Sequence, residues 1–152
     1  MILSRTTFTL TLFLLTSLLT GCALPSLKDR SQSEAFSQEQ TAGTRLGRAV
    51  GYEVENHSGL SGIAALQNPL DAFVARALLA EASDRSLDVQ YYIWQDDITG
   101  KLLLYSLYRA AERGVRVRLL LDDNGIAGMD EWLSALNHHD NVEVRLFNPF
   151  VI

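Results

Sequence analysis

Two alternating segments separated by a helical one constrain this chain more than any other feature of it. Residues 87–94 read Leu-Asp-Val-Gln-Tyr-Tyr-Ile-Trp. Leu87, Val89, Tyr91 and Ile93 fall on one side, and Asp88, Gln90, Tyr92 and Trp94 on the other. A period of two built from β-branched and aromatic residues predicts a strand. From Gly100 the period changes. Leu103, Leu107, Ala110 and Ala111 recur at helical spacing and leave Lys101, Arg109, Glu112 and Arg113 for solvent. Gly114 stands where a helix ends in left-handed geometry, which costs glycine little. Residues 115–121 read as a second strand, and its three closing leucines suit burial on both faces. Strand, helix and strand with short links make a βαβ unit. Such a unit requires parallel strands and a right-handed crossover.

The pattern continues downstream. Residues 122–128 form a loop of residues that tolerate positive φ. Asp130 begins a further helix with Trp132, Leu133 and Leu136 as its buried side, and His138 to Asn141 close it. Val142, Val144 and Leu146 alternate with Glu143 and Arg145, which predicts a third strand. Upstream, Asn68 and Pro69 suit an N-cap and a first turn. The helix they open has an apolar stripe of Leu70, Phe73, Val74, Ala77, Leu78 and Ala82, expected to pack on a core, with Arg76, Glu81 and Asp84 outwards. Ile63, Ala64, Ala65 and Leu66 are expected to form a short strand. The fold class is α/β: a mostly parallel sheet with a βαβαβ core flanked by helices. Three strands leave two open edges, and Phe147, Phe150, Val151 and Ile152 make an apolar tail. The chain is therefore expected to be a piece of a longer one.

The amino end follows other rules. Residues 1–21 carry one charge, Arg5, and an apolar run over residues 8–19 broken only by hydroxyl side chains. That run is shorter than the roughly 20 residues a bilayer core requires. It fits the apolar region of an export signal. Leu19-Thr20-Gly21-Cys22 resembles the lipobox of bacterial lipoproteins. The resemblance implies cleavage before Cys22 and lipid attachment to its thiol, which with a second acyl signal gives stable membrane anchoring. Cys22 is the only cysteine of the 152 residues, so no internal disulfide can form. The expected organisation is a signal over residues 1–21, a lipidated polar tether over 22–57 and an α/β domain over 58–152. The expected location is the bacterial cell envelope. Ala23 after the cysteine favours the periplasmic face of the outer membrane in a host with two membranes.

Without residues 1–21 the chain has 12 basic and 18 acidic residues, a formal charge of −6. Bulk electrostatics therefore give it no attraction to nucleic acid, and none is expected as a partner. Open parallel sheets bind ligands beyond the carboxyl ends of their strands. Asp96, Asp97, Asp122, Asp123, Asn124 and Asn148 fall there and are the candidate substrate-site residues. Four carboxylates at one edge could hold Mg²⁺ in a phosphotransfer or receiver-like domain. The plainer reading makes these aspartates turn formers and caps, with Asp97 or Asp130 capping the helix that follows. On the strands, Asp88, Gln90, Arg116, Arg118, Glu143 and Arg145 either pair across neighbours or present a polar surface to another domain or an anion. His57, His138 and His139 have no partners at metal-ligand spacing, so neither metal nor cofactor is expected. A non-catalytic binding lipoprotein is a further alternative.

Residues 86–97, Gly100, residues 110–123 and residues 144–150 together resemble the amino-terminal part of the phospholipase D superfamily, and within it the bacterial cardiolipin synthases of that type. The resemblance implies the incomplete first half of a phospholipase D-like fold, in which two similar α/β halves meet at one site. Each half of such proteins supplies a His-x-Lys-x-x-x-x-Asp motif. One histidine attacks phosphorus and becomes a phosphohistidine, the other protonates the leaving alcohol, and the lysines hold the phosphate oxygens. None of His57, His138 or His139 has lysine two positions later. No catalytic residue is therefore assigned in this chain, and the motif is expected beyond Ile152. The implied partners are a phospholipid membrane and the carboxyl-terminal half of the same chain. The implied reaction is phosphatidyl transfer or hydrolysis, and a nuclease of the same superfamily is the alternative.

Overall fold

The computed structural model describes Gln32 and residues 35–149. The expected signal, Cys22 and the terminal Phe150, Val151 and Ile152 lie outside the described residues. Strands β1 (Ser86–Tyr91), β2 (Arg116–Asp122) and β3 (Val142–Phe147) form one sheet in that order. Both pairings are parallel. Their register sets Leu87 beside Val117 and Val142, Val89 beside Leu119 and Val144, and Tyr91 beside Leu121 and Leu146. The alternation seen in each segment thus becomes rows of apolar side chains across one face.

Two helices connect the strands: α4 (Ile98–Glu112) and α5 (Asp130–Asn137). Right-handed crossovers in a sheet ordered 1-2-3 put both on one face. Buried residues of α4 are Leu103, Leu104, Leu107, Ala110 and Ala111, and those of α5 are Leu133 and Leu136. They meet Val117, Leu119 and Leu121, all fully buried, in one cluster. Burying each such leucine contributes roughly 1.5–3 kcal/mol. Gly114 ends α4 with φ +87°, and the N–H of Val115 donates to the Ala110 carbonyl at 3.1 Å. These features match the sequence reading. Leu120 does not: as part of the opposite face it is half-buried, so β2 is dry on one side only.

The first predicted strand is shorter than expected. β1 ends at Tyr91, three residues before Trp94. Trp94 is 3% exposed and Ile93 is 52% exposed, the reverse of the predicted alternation. The N–H of Trp94 donates to the carbonyl of Gly125 at 2.9 Å, so the chain turns inwards to meet the loop after β2. A side chain on Gly125 would collide with the Tyr92 carbonyl, so the close approach requires glycine there.

Upstream lie α1 (Gln38–Thr41), α2 (Arg45–Asn56) and α3 (Pro69–Ala82). The last twelve residues or so of the span read as a tether thus include a capped helix. Thr44 accepts from Gly47 N–H at 3.0 Å, and Arg45 binds Asp84 through its backbone N–H and its guanidinium, at 2.6 and 2.7 Å. Gly47 and Gly51 hid this helix, since glycine lowers helix propensity. The strand expected over residues 63–66 does not form, and Ile63 is 94% exposed. A four-residue apolar run does not fix its own conformation without a partner strand. Asn68 caps α3 as predicted, accepting from Leu70 N–H at 2.8 Å. The predicted packing of its stripe is corrected: Leu70, Val74 and Leu78 are exposed, Phe73 is half-buried against the core, and Ala80 is buried. α3 is apolar around most of its circumference, so periodicity could not choose the face that meets α4.

Candidate functional site at the carboxyl ends of the strands

All three strands run the same way, so their carboxyl ends share one edge. A cleft of about 160 Å³ opens there, lined by Gln90, Tyr91, Tyr92, Leu120, Asp122 and Phe147 among others. Of the six predicted substrate-site residues only Asp122 lines it. Its side chain accepts from Asn124 N–H at 3.0 Å and so caps the 3-10 turn Asp123–Gly125. Asp123 is half-buried in that turn. Asn124 is exposed. Asn148 follows the lining residue Phe147 in left-handed geometry, φ +51°.

The other aspartates serve α4. Asp97 is its N-cap, accepting from Gly100 N–H and from the Thr99 hydroxyl, each at 2.7 Å. The Gly100 bond, then the Thr99 bond, hold its carboxyl below the usual carboxylate range. Asp96 pairs with Lys101 at 2.9 Å. Among the described residues no three acidic, histidine or cysteine side chains gather as a metal-binding group. Asp96 and Asp97 thus serve the start of α4, while Asp122 and Asp123 belong to the turn after β2. Asp130 begins α5 as predicted, but the N-cap is Met129 and no side chain caps that end.

The sequence reading missed Tyr92, Gln90 and Phe147 as lining residues. The signal was available: the last residues of parallel strands lie at this edge whether or not they are acidic. A second hollow of about 160 Å³ adjoins, lined by Arg76, Tyr91, Trp94, Gln95 and Asp97 among others. Tyr91 is common to both. Its ring meets Trp94 edge-on at 4.7 Å, and the Arg76 guanidinium lies 6.0 Å above it.

On the sheet face away from α4 and α5, Asp88, Arg118 and Glu143 stand in register. Arg118 donates to both oxygens of Asp88, at 2.6 and 2.7 Å, and Arg145 pairs with Glu143 at 2.6 Å. Cross-strand pairing, the plainer alternative, accounts for Asp88 and Arg118, whereas Glu143 and Arg145 pair within β3. The hydrogen bond from Arg118 comes first among the causes that lower the Asp88 pKa, ahead of opposing desolvation. Arg116 lies 5.5 Å from the Phe36 ring, with Nε and one Nη buried and unpartnered. His57 pairs with Glu53 at 3.3 Å. His138 approaches the Ser134 carbonyl. His139 is half-buried, 3.0 Å from Glu112 and edge-on to Tyr108. None of the three histidines lines the cleft.

The chain is 56% identical over 106 residues to cardiolipin synthase C of Escherichia coli (strain K12), a match that takes in 70% of this chain and 22% of that protein. Two uncharacterised proteins of Helicobacter pylori, from strains 26695 and J99, are each 36% identical over 109 residues, 72% of this chain and 22% of theirs. The chain thus spans about a fifth of the length of the curated relatives it matches. The identity supports a cardiolipin synthase-like relationship over the shared residues. No protein-family model matches the chain. A solved structure of TrmBL2, described as an archaeal chromatin protein with a novel mode of DNA binding, superposes with a TM-score of 0.46 at 14% identity, over 70% of this chain and 42% of that one. Among the described residues no helix is long and apolar enough to cross a membrane.

Proposed function

We propose that this chain is the amino-terminal part of a phospholipase D-like enzyme that transfers a phosphatidyl group between alcohols and so forms cardiolipin. The observation that supports this most is the 56% identity to cardiolipin synthase C. The parallel βαβαβ unit, with its cleft at the strands' carboxyl ends, is compatible with that chemistry. In the proposed reaction a histidine nitrogen attacks the phosphodiester phosphorus. The P–O bond to the leaving alcohol breaks as a second histidine protonates that oxygen. The acceptor alcohol then attacks the phosphohistidine, gives its proton to the second histidine and releases the first. Both histidines belong to His-x-Lys-x-x-x-x-Asp motifs, which this chain does not contain.

The role of these residues is therefore scaffolding and one wall of the site. Tyr92, Asp122 and Phe147 would line the approach to the phosphate. Cys22, carrying acyl chains, would hold the enzyme at the surface where its lipid substrate lies. Proposed placement is the bacterial cell envelope.

The test has two arms. The coding sequence downstream of Ile152 is read for His-x-Lys-x-x-x-x-Asp, and the protein it encodes is assayed for conversion of phosphatidylglycerol to cardiolipin. A motif and product formation are expected, with no product from the 152-residue chain. Turnover by the short chain, or a downstream sequence without the motif, overturns the reading. Cys22→Ser is expected to move the protein from the membrane fraction to the soluble one.

A further inference from the structure

We propose that the hollow between α3, the end of β1 and the start of α4 is a phosphate-ester subsite, held by Arg76 and Tyr91. Four of the nine described arginines are paired with a carboxylate. Arg45 meets Asp84, Arg113 meets Glu81, Arg118 meets Asp88 and Arg145 meets Glu143. Arg76 differs. It is exposed, lines the hollow, and among the described residues forms no ion pair. Its charge rests over the Tyr91 ring at 6.0 Å, near the limit of a cation–π contact.

Tyr91 supplies an independent observation. Its hydroxyl oxygen is buried and has no hydrogen-bond partner. Buried hydroxyls are nearly always satisfied, so an orphan beside a hollow calls for an explanation. An oxyanion in the hollow would accept from this hydroxyl and from the Arg76 fork, a pairing that suits phosphate geometry. Asp97 lines the same hollow and opposes an anion. Its charge is already engaged by the Gly100 N–H and the Thr99 hydroxyl, with Lys101 nearby.

The position suggests the role, and here the inference rests on the proposed reaction. Cardiolipin has two phosphates joined through one glycerol. When the acceptor is itself a phosphatidyl glycerol, only one phosphorus reacts. The other must be held by a cation outside the reacting pair. Tyr91 is a wall of both the hollow and the strand-end cleft, so a phosphate at Arg76 would neighbour one bound in that cleft.

Trp94 reports on the site, since it lines the hollow and touches Tyr91. In a Trp132→Phe background, Trp94 fluorescence of the whole chain is titrated with sn-glycerol 3-phosphate, with glycerol, and with vesicles of phosphatidylglycerol or of phosphatidylcholine. The expected result is a saturable change with glycerol 3-phosphate or phosphatidylglycerol, none with glycerol, and about tenfold weaker binding in Arg76→Gln. A response to glycerol 3-phosphate identifies a general phosphate-ester site, and one to phosphatidylglycerol vesicles alone identifies a lipid headgroup site. Tyr91→Phe is expected to weaken binding several-fold without lowering the thermal midpoint of the free chain, because it removes an unsatisfied hydroxyl. No saturable change with either phosphate ester, an equal response to glycerol, or unchanged affinity in Arg76→Gln overturns the proposal. Because this readout needs no catalytic histidine, its failure is separable from a failure of the transfer reading.

Discussion

The two faces of the sheet are built by the same six or seven residues per strand, yet they differ in kind. One face sets Val117, Leu119 and Leu121 at the centre of a dry cluster under α4 and α5. The other sets Asp88, Arg118 and Glu143 side by side, with half-buried Arg116 and Leu120 around them. Apolar burial is non-directional and scales with area, so the first face can supply most of the folding energy. Charges at a partly wet surface gain little net energy, but they do penalise wrong neighbours. A slip of β2 by one residue would turn its apolar side chains outwards and bury Arg116 and Arg118. The dry face therefore stabilises the sheet, and the charged face fixes how its strands align.

Leu119→Ala should break this comparison hardest. The side chain is 1% exposed at the centre of the middle strand. Its loss should cost about 2–5 kcal/mol, read as a lower urea midpoint at unchanged slope. A cost under about 1 kcal/mol would mean that the helices do not close on this face. Gly125→Ala comes next. The new methyl group would meet the Tyr92 carbonyl, and relief requires moving the Trp94 segment. We expect a cost of about 1–3 kcal/mol with a change in Trp94 fluorescence. A silent substitution would show that the loop and the end of β1 do not approach as described.

The dry face was legible in the sequence because hydrophobic periodicity is local. Leu103, Leu107, Ala110 and Ala111 could be picked out from spacing alone, and Gly114 marked the stop. What could not be read depended on neighbours distant in sequence. Trp94 is buried because Gly125, thirty-one positions on, offers its carbonyl. α3 is apolar on several sides, and only its contact with α4 decides that Leu70 and Leu78 stay outside. The candidate site was half legible for the same reason. Parallel strands dictated its edge, but acidic residues were chosen there on chemistry, and Asp96 and Asp97 are held by α4 instead. The cleft is lined mostly by aromatic and amide side chains, whose role depends on where the strands stop.

Acid should separate the two faces further. The Asp84, Asp88 and Asp97 carboxyls all sit below their ordinary range, through bonds from Arg45, Arg118 and Gly100 respectively. A lowered pKa in the folded chain means that folding favours the charged form. The contribution is complete above the unfolded value of about 3.9 and is lost as pH falls through the lower folded value. Stability should therefore be flat with respect to these groups above about pH 5 and decline below about pH 4. Leu119→Ala should lower the whole profile without changing where it declines.

The smallest expected effect gives the sharpest test of the charged face. Asp88→Asn and Arg118→Met, singly and together, form a double-mutant cycle across β1 and β2. The pair is bidentate, but more than half of the Asp88 side chain is exposed, so solvent screens it. The coupling at neutral pH should be about 0.2–1 kcal/mol and should shrink with added salt. It should shrink as pH falls through the lowered Asp88 value, if its source is the carboxylate. Coupling that survives acid would come from side-chain packing across the strands. In that case the charges would be incidental to register, and the distinction drawn between the two faces would reduce to one of burial alone.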